Sequence, residues 1–217
     1  MNLPFSADQF FSIFETYNRA IFPVQVIAYA LGGVAVLMAL SKFSKRDQLV
    51  AAILAAFWLW TGIFYHLMYF SSLNPAAYIF GLVFIIQGGL LLWFGFVKQQ
   101  LSFSFSRNLR SLVGGLLILY AMALYPALGY VFDHGYPQSP MFGVTPCPLT
   151  IFTLGFFLFV QKKVPWQLLI IPLLWSLVGS TAAFLFGVKE DFGLLVAGLL
   201  VLAFVFESRR EKILARL

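Results

Sequence analysis

Long uninterrupted apolar runs dominate the chain, and neither strand alternation nor a one-sided helical stripe describes them. Seven runs stand between polar punctuation, at about 20–41, 49–70, 77–97, 111–131, 148–161, 166–187 and 192–206. A helix needs about 20 apolar residues to cross hydrocarbon about 30 Å thick, and most of the runs approach that length. The pattern predicts an all-α, polytopic transmembrane bundle of seven helices, in a single domain over 1–217. Pro23, Pro126 and Pro172 fall inside three of the runs and mark expected kinks, which membrane helices tolerate.

The two ends of the chain break the pattern. In "SADQFFSIFETYNR", Ser6 and Gln9 are spaced as a capping box, and Phe10, Phe14 and Tyr17 share one helical face. Glu15 and Arg19 stand at the i, i+4 spacing that lets them pair. This predicts an amphipathic interfacial helix within 1–18, lying on the outer leaflet; the alternative is that it prolongs the first span. The tail 207–217, "ESRREKILARL", reads as a basic continuation of the last helix. No basic n-region precedes an apolar core, so no cleavable signal peptide is expected.

Composition agrees with the pattern. Of the 217 residues 61% are hydrophobic and 10% charged, with a mean hydropathy of +0.91. Soluble domains carry about 25% charged residues, so this chain lacks the means to cover a water-facing surface. A pI near 9.6 invites a nucleic-acid reading, but the basic residues lie in short tracts between apolar runs. Those tracts are Lys42, Lys45 and Arg46; Lys98, Arg107 and Arg110; Lys162 and Lys163; and Arg209, Arg210, Lys212 and Arg216. Threaded through seven spans, they put twelve of the fourteen Lys and Arg residues on one side. Arg19 and Lys189 fall on the other, with Asp8, Glu15, Asp133, Glu190 and Asp191. Basic loops stay cytoplasmic, which predicts the N-terminus outside and the C-terminus inside. No nucleic-acid partner is expected; membrane lipids are.

Candidate chemistry centres on Cys147, the one cysteine, set between Pro146 and Pro148. A lone cysteine excludes an intrachain disulfide and a multi-cysteine metal cage. Proline is favoured at a first helical position, which predicts Cys147 as the N-cap of the fifth helix. Counting back 15 residues from Lys162 places it roughly 22 Å up at a 1.5 Å rise, short of the outer boundary. Asp191 rises roughly 24 Å from Glu207, and His66 roughly 27 Å from Gln48. The segment "FDHGYPQSPMFGVTP", holding Asp133 and His134, has room to dip inward beside the short fifth helix. Irregular backbone at membrane depth must be buried in protein or line a cavity, so an outward-facing polar recess follows.

Thiol, imidazole and carboxylate together suit a zinc- or copper-type metal ion, with His66, His134, Cys147 and Asp191 as ligands. Plainer readings stand beside that one. His66 hydrogen-bonds among aromatics, Cys147 is a small buried apolar residue, Asp133 and His134 belong to a loop, and Glu190 and Asp191 are first-turn carboxylates of the seventh helix. Asn74 is expected to cap the third helix. Gln25 and Gln87 read as interhelical glue, and Ser176, Gly179, Ser180 and Thr181 as a small-residue packing stripe. There is no Gly-rich phosphate loop, no G-x-S-x-G, no H-E-x-x-H, and no mid-span lysine in the seventh helix for a Schiff base.

The stretches "YHLMYFSSLNPAAYIFG", "GVTPCPLTIFT" and "IPLLWSLVGSTAAFLFGVKEDFGLL" together resemble a family of bacterial multi-pass membrane proteins of unknown function. The resemblance implies a bacterial inner-membrane location and no activity. It draws attention to His66, Asn74, His134, Cys147, Thr150, Glu190 and Asp191 as a ligand-binding set. The leading expectation is a permease or sensor that binds a small solute or metal ion in the outward recess. The alternatives are a membrane-embedded, metal-dependent hydrolase with Glu190 or Asp191 as general base, and a structural subunit of a membrane complex.

Overall fold

The computed structural model describes residues 5–161 and 163–214, with side chains up to residue 207. Eight helices make up the fold of the described residues. Helix α1 covers Ala7–Ala20 and α2 Val24–Leu40. Helices α3, α4, α5 and α7 cover Arg46–Ser72, Ala77–Val97, Leu109–Val131 and Trp166–Leu185. Helix α6 covers Pro146–Phe159, and α8 covers Phe192–Leu214. Among the described residues, the four helices α3, α4, α5 and α7 are long and apolar enough to cross a membrane, and a fifth span results if α1 and α2 count as one broken span. The bend between those two is 84°, so α1 is no straight continuation of α2. Pro23 sits in the turn between them rather than kinking a continuous helix.

Helix α6 is the centre. Its 14 residues reach only about 21 Å, and every one of them is buried. A helix apolar on all faces needs cover on all faces, and the longer helices supply it. Without a hydrophobic drive between helices in an apolar surround, close contact depends on small residues. Gly81, Gly88 and Gly95 recur every seven residues along α4, facing Gly62, Ala55 and Ala51 of α3. A Cβ on Gly155 of α6 would lie 2.8 Å from the Gly114 carbonyl of α5, and one on Gly114 would lie 2.7 Å from the Gly155 carbonyl. No larger residue fits that crossing.

The connection between α5 and α6 sinks into the bundle as expected: Ser139, Pro140 and Phe142–Thr145 are buried. Gly143 turns the chain there with φ +74, and a Cβ would meet the Ala28 Cβ at 2.9 Å, so glycine is required on both counts. Thr145, not Cys147, is the residue before the helix; Pro146 opens α6 and Cys147 stands in its first turn. A proline opens the helix as expected, but it is Pro146 rather than Pro148, two residues earlier than the sequence pattern suggests.

The connections gather at two ends. At one, Phe105 N–H donates to the Ala39 carbonyl (3.2 Å), Ser104 N–H to the Phe159 carbonyl (3.0 Å) and Gln161 N–H to the Ser102 carbonyl (3.0 Å). The Asp47 carboxylate accepts from Phe103 N–H at 2.8 Å. The tracts bearing Lys42, Lys45, Arg46, Lys98 and Lys163 adjoin this knot. At the other end, Tyr17 O–H donates to the Val144 carbonyl (2.7 Å) and the Asn18 amide to the carbonyls of Pro137 (2.7 Å) and Ser139 (2.9 Å). These bonds clamp α1 over the sunken segment.

Candidate functional site under helix α1

Helix α1 begins as its sequence dictates. Ser6 and Gln9 form the reciprocal capping box, with Gln9 N–H donating to Ser6 Oγ at 3.2 Å and Ser6 N–H to Gln9 Oε1 at 2.8 Å. Arg19 pairs with Glu15 at 2.9 Å. Phe10, Phe14 and Tyr17 are buried, but against protein: Phe10 stacks on Phe186 with ring centroids 4.6 Å apart, and Phe14 on Tyr65 at 5.4 Å. The apolar face expected to enter lipid instead roofs the bundle.

Beneath that roof lies a cavity of about 220 Å³. His66, Asn74, Cys147 and Asp191 all line it, so helices α3 and α6 converge there with the α3–α4 and α7–α8 turns. Phe10, Phe14, Tyr65, Phe70, Phe80 and Trp175 supply much of the wall. His66 is delivered by a π-helical stretch of α3, Thr61–Tyr69, a wider winding that often marks functional positions. Its ring is fully buried, 4.7 Å from Phe84 and 5.3 Å from Trp175 between centroids. Neither ring nitrogen has a protein hydrogen-bond partner, whereas the Trp175 indole lies against the Cys147 thiol.

Asp191 and Glu190 lie in the turn Lys189–Asp191 before α8, both buried. Tyr125 O–H donates to Asp191 Oδ1 at 2.5 Å, and the Cys147 thiol lies beside the same carboxylate. Burial pushes the Asp191 carboxyl above its ordinary range, against the lowering effect of the Tyr125 bond. Tyr120 O–H donates to the Glu190 carbonyl at 2.7 Å. A second π-helical stretch, Tyr120–Leu124, sets Tyr120 and Tyr125 to face this turn.

His134 takes another position. Its Nε2 stands 2.8 Å from Glu190 Oε1, and its Nδ1 stands 2.8 Å from the Phe132 carbonyl oxygen. A carbonyl oxygen only accepts, as does an ionised carboxylate, so with Glu190 ionised both ring nitrogens carry protons. The hydrogen bond to Glu190 accordingly raises the His134 pKa. This pair abuts the cavity without lining it. Thr150 is not at the cavity either; its hydroxyl donates to the Pro146 carbonyl at 2.8 Å, within α6. Asn74 accepts from Ala76 N–H at 3.0 Å, forming a side-chain turn ahead of α4 while Ala76 holds the cap position.

The expected metal set therefore divides, with His66, Cys147 and Asp191 on the cavity and His134 engaged with Glu190. Among the described residues no group of three His, Cys, Asp or Glu side chains is disposed to hold a metal ion. Tyr120, Tyr125 and Trp175 were not anticipated. A buried Tyr O–H or Trp N–H needs a partner, and that is the one signal the sequence offered for them.

Residues 7–216 match the model of DUF6064, a family of unknown function. The chain belongs to the DUF6064 family. No curated protein and no solved structure matches it. For this DUF6064 chain the family supplies no activity, and the chemistry must come from the cavity itself.

Proposed function

We propose that this chain is a multi-pass bacterial inner-membrane protein, N-terminus outside and C-terminus inside, that binds a small solute in an outward-facing cavity as a permease or sensor. Large apolar side chains on the outer faces of the helices support the membrane reading: Ile27 and Leu37 on α2, Ile79 and Leu82 on α4, Leu112 and Leu116 on α5 are all more than half exposed. Water is a poor solvent for such a surface, and lipid a good one. The basic tracts at the knotted end set the orientation by the positive-inside rule.

One observation carries the binding reading. His66 is fully buried, has no protein partner at either nitrogen, and faces the same cavity as Cys147 and Asp191. Leaving a buried polar group unpaired costs about 1–3 kcal/mol, so an occupant with hydrogen-bonding capacity gains what the fold forgoes. Ionisable side chains buried in a membrane bundle are functional candidates by default, and an amphipathic roof helix gives such an occupant a gate.

Cys147 is a built-in reporter of that gate. In purified protein, N-ethylmaleimide should modify Cys147 severalfold faster after Phe10→Ala, which thins the roof, and more slowly after Ala182→Trp, which fills the cavity. If Cys147 stays inert in the Phe10→Ala protein while the denatured chain reacts fully, the cavity is not an accessible site.

A further inference from the structure

Resting on the solute-binding reading above, we propose that the occupant is a compact organic ammonium ion, held by the Asp191 carboxylate and the aromatic rings around it. The sign of the charge comes first. Asp191 is the one carboxyl among the described residues that line the cavity, and an ammonium ion beside it favours the ionised form that burial alone disfavours. Neighbouring Glu190 is paired with His134, so that pair is close to neutral and Asp191 is left without a cationic partner. The two basic side chains of this end are engaged elsewhere. Arg19 donates to Glu15 through Nε at 3.1 Å and through a terminal nitrogen at 2.9 Å. Lys189 Nζ sits 4.8 Å from the Phe132 ring centroid. An anion entering the cavity would meet a like charge in a medium of low dielectric, and a cation would meet its complement.

The walls then separate organic from inorganic cations. Tyr65, Phe70, Phe80 and Trp175 present π faces and edges, the surroundings that attract an ammonium group by its charge. A hard metal cation wants about six or more oxygen ligands. Here Asp191 Oδ1 already accepts from Tyr125 and Asn74 Oδ1 from Ala76, which leaves too few. A neutral His66 offers one acceptor nitrogen to an ammonium N–H and one N–H to any oxygen the ligand carries. The volume, about 220 Å³, lies below the common range of small-molecule pockets and limits the ligand to a compact one. A free amine and the ethanolamine headgroup of a lipid share this chemistry.

The test compares benzylammonium, benzyl alcohol and benzoate by calorimetry on the full chain in lipid-free detergent. Benzylammonium should bind, with the neutral and anionic analogues weaker by about tenfold or more, the factor that 1.4 kcal/mol represents. Asp191→Asn keeps the oxygen that accepts from Tyr125 and should weaken benzylammonium by a similar factor. Should that variant not fold, Trp175→Leu, which removes one ring, should weaken benzylammonium and leave benzyl alcohol nearly unchanged. Reconstitution then separates the sources: phosphatidylethanolamine competing with benzylammonium where phosphatidylglycerol does not assigns the headgroup, and equal affinity in both assigns a free amine. Benzoate or benzyl alcohol binding as well as benzylammonium, and lost in His66→Leu, overturns the cation assignment while sparing the cavity. No binding by any of the three, with Cys147 still reactive in Phe10→Ala, overturns the cation assignment as well. Inert Cys147 overturns the binding reading itself.

Discussion

The two ends of the bundle solve the same problem differently. Both must terminate apolar helices and return the chain without stranding polar groups. At the basic end, residues 102–105 weave between Asp47, Ala39, Phe159 and Gln161, and backbone donors there meet acceptors. At the carboxylate-bearing end, Tyr17 and Asn18 donate to the sunken segment, although Asn18 Oδ1 has no protein partner. Beside it, however, His66 and Glu190 Oε2 remain without protein partners. The basic end leaves Arg110 Nε without a protein partner, but on a side chain already bonded to the Phe157 carbonyl. The other keeps hydrogen-bonding capacity in reserve around a cavity, and such reserve is what a binding site needs.

The largest effect expected is one that spares neither end. Gly155→Leu would drive a side chain into the α5 backbone at Gly114, and a loss of about 4 kcal/mol or more should leave no monodisperse protein after detergent extraction. A sharper contrast comes from two polar groups of comparable burial. Trp58 Nε1–H donates to Thr153 Oγ1 at 2.9 Å, so Trp58→Phe should cost about 1–2 kcal/mol in chemical unfolding. His66→Leu removes a side chain with no protein bonds to lose and should leave stability unchanged or higher. Equal losses in the two variants would erase the distinction between the bonded and the reserved groups.

Acidity probes the carboxylate-bearing end alone. The bond to Glu190 raises the His134 pKa, so the stability it adds is full below the ordinary imidazole value of about 6.5 and is lost as pH rises through the folded-state value. Burial raises the Asp191 pKa; the stability linked to its neutral form is present below the ordinary carboxylate value of about 4 and is lost as pH rises through the folded one. Both act in one direction. The melting temperature should fall from mildly acidic to alkaline pH, and His134→Gln should flatten the upper part of that slope. The smallest effect belongs to the exposed Glu15–Arg19 pair, where Arg19→Gln should not change melting measurably.

Much of the fold was legible because apolar run length, proline position and charge placement are local properties. The capping box at Ser6, the apolar face of α1 and the inward dip ahead of α6 could all be read residue by residue. The convergence of His66, Cys147 and Asp191 followed from counting helical rise back from the basic ends. What could not be read was partner choice. Tyr125 and Asp191 lie far apart in sequence, as do His134 and Glu190, and no local rule pairs them. Tyr120, Tyr125 and Trp175 look like core residues until their polar tips are seen to face the α7–α8 turn or the cavity. The division of α1 between lipid and protein was equally hidden, since an amphipathic helix fits either surface.

Whether the cavity end faces away from the cytoplasm is the claim on which the functional reading stands, and site-directed thiol labelling in intact cells tests it directly. With Cys147 replaced by alanine, Asp133→Cys and Lys45→Cys each place one thiol on an exposed residue, the first beside the cavity and the second at the basic end. A membrane-impermeant maleimide should label Asp133→Cys in whole cells and Lys45→Cys only after lysis. The reverse pattern, or labelling of both thiols before lysis, would contradict the orientation.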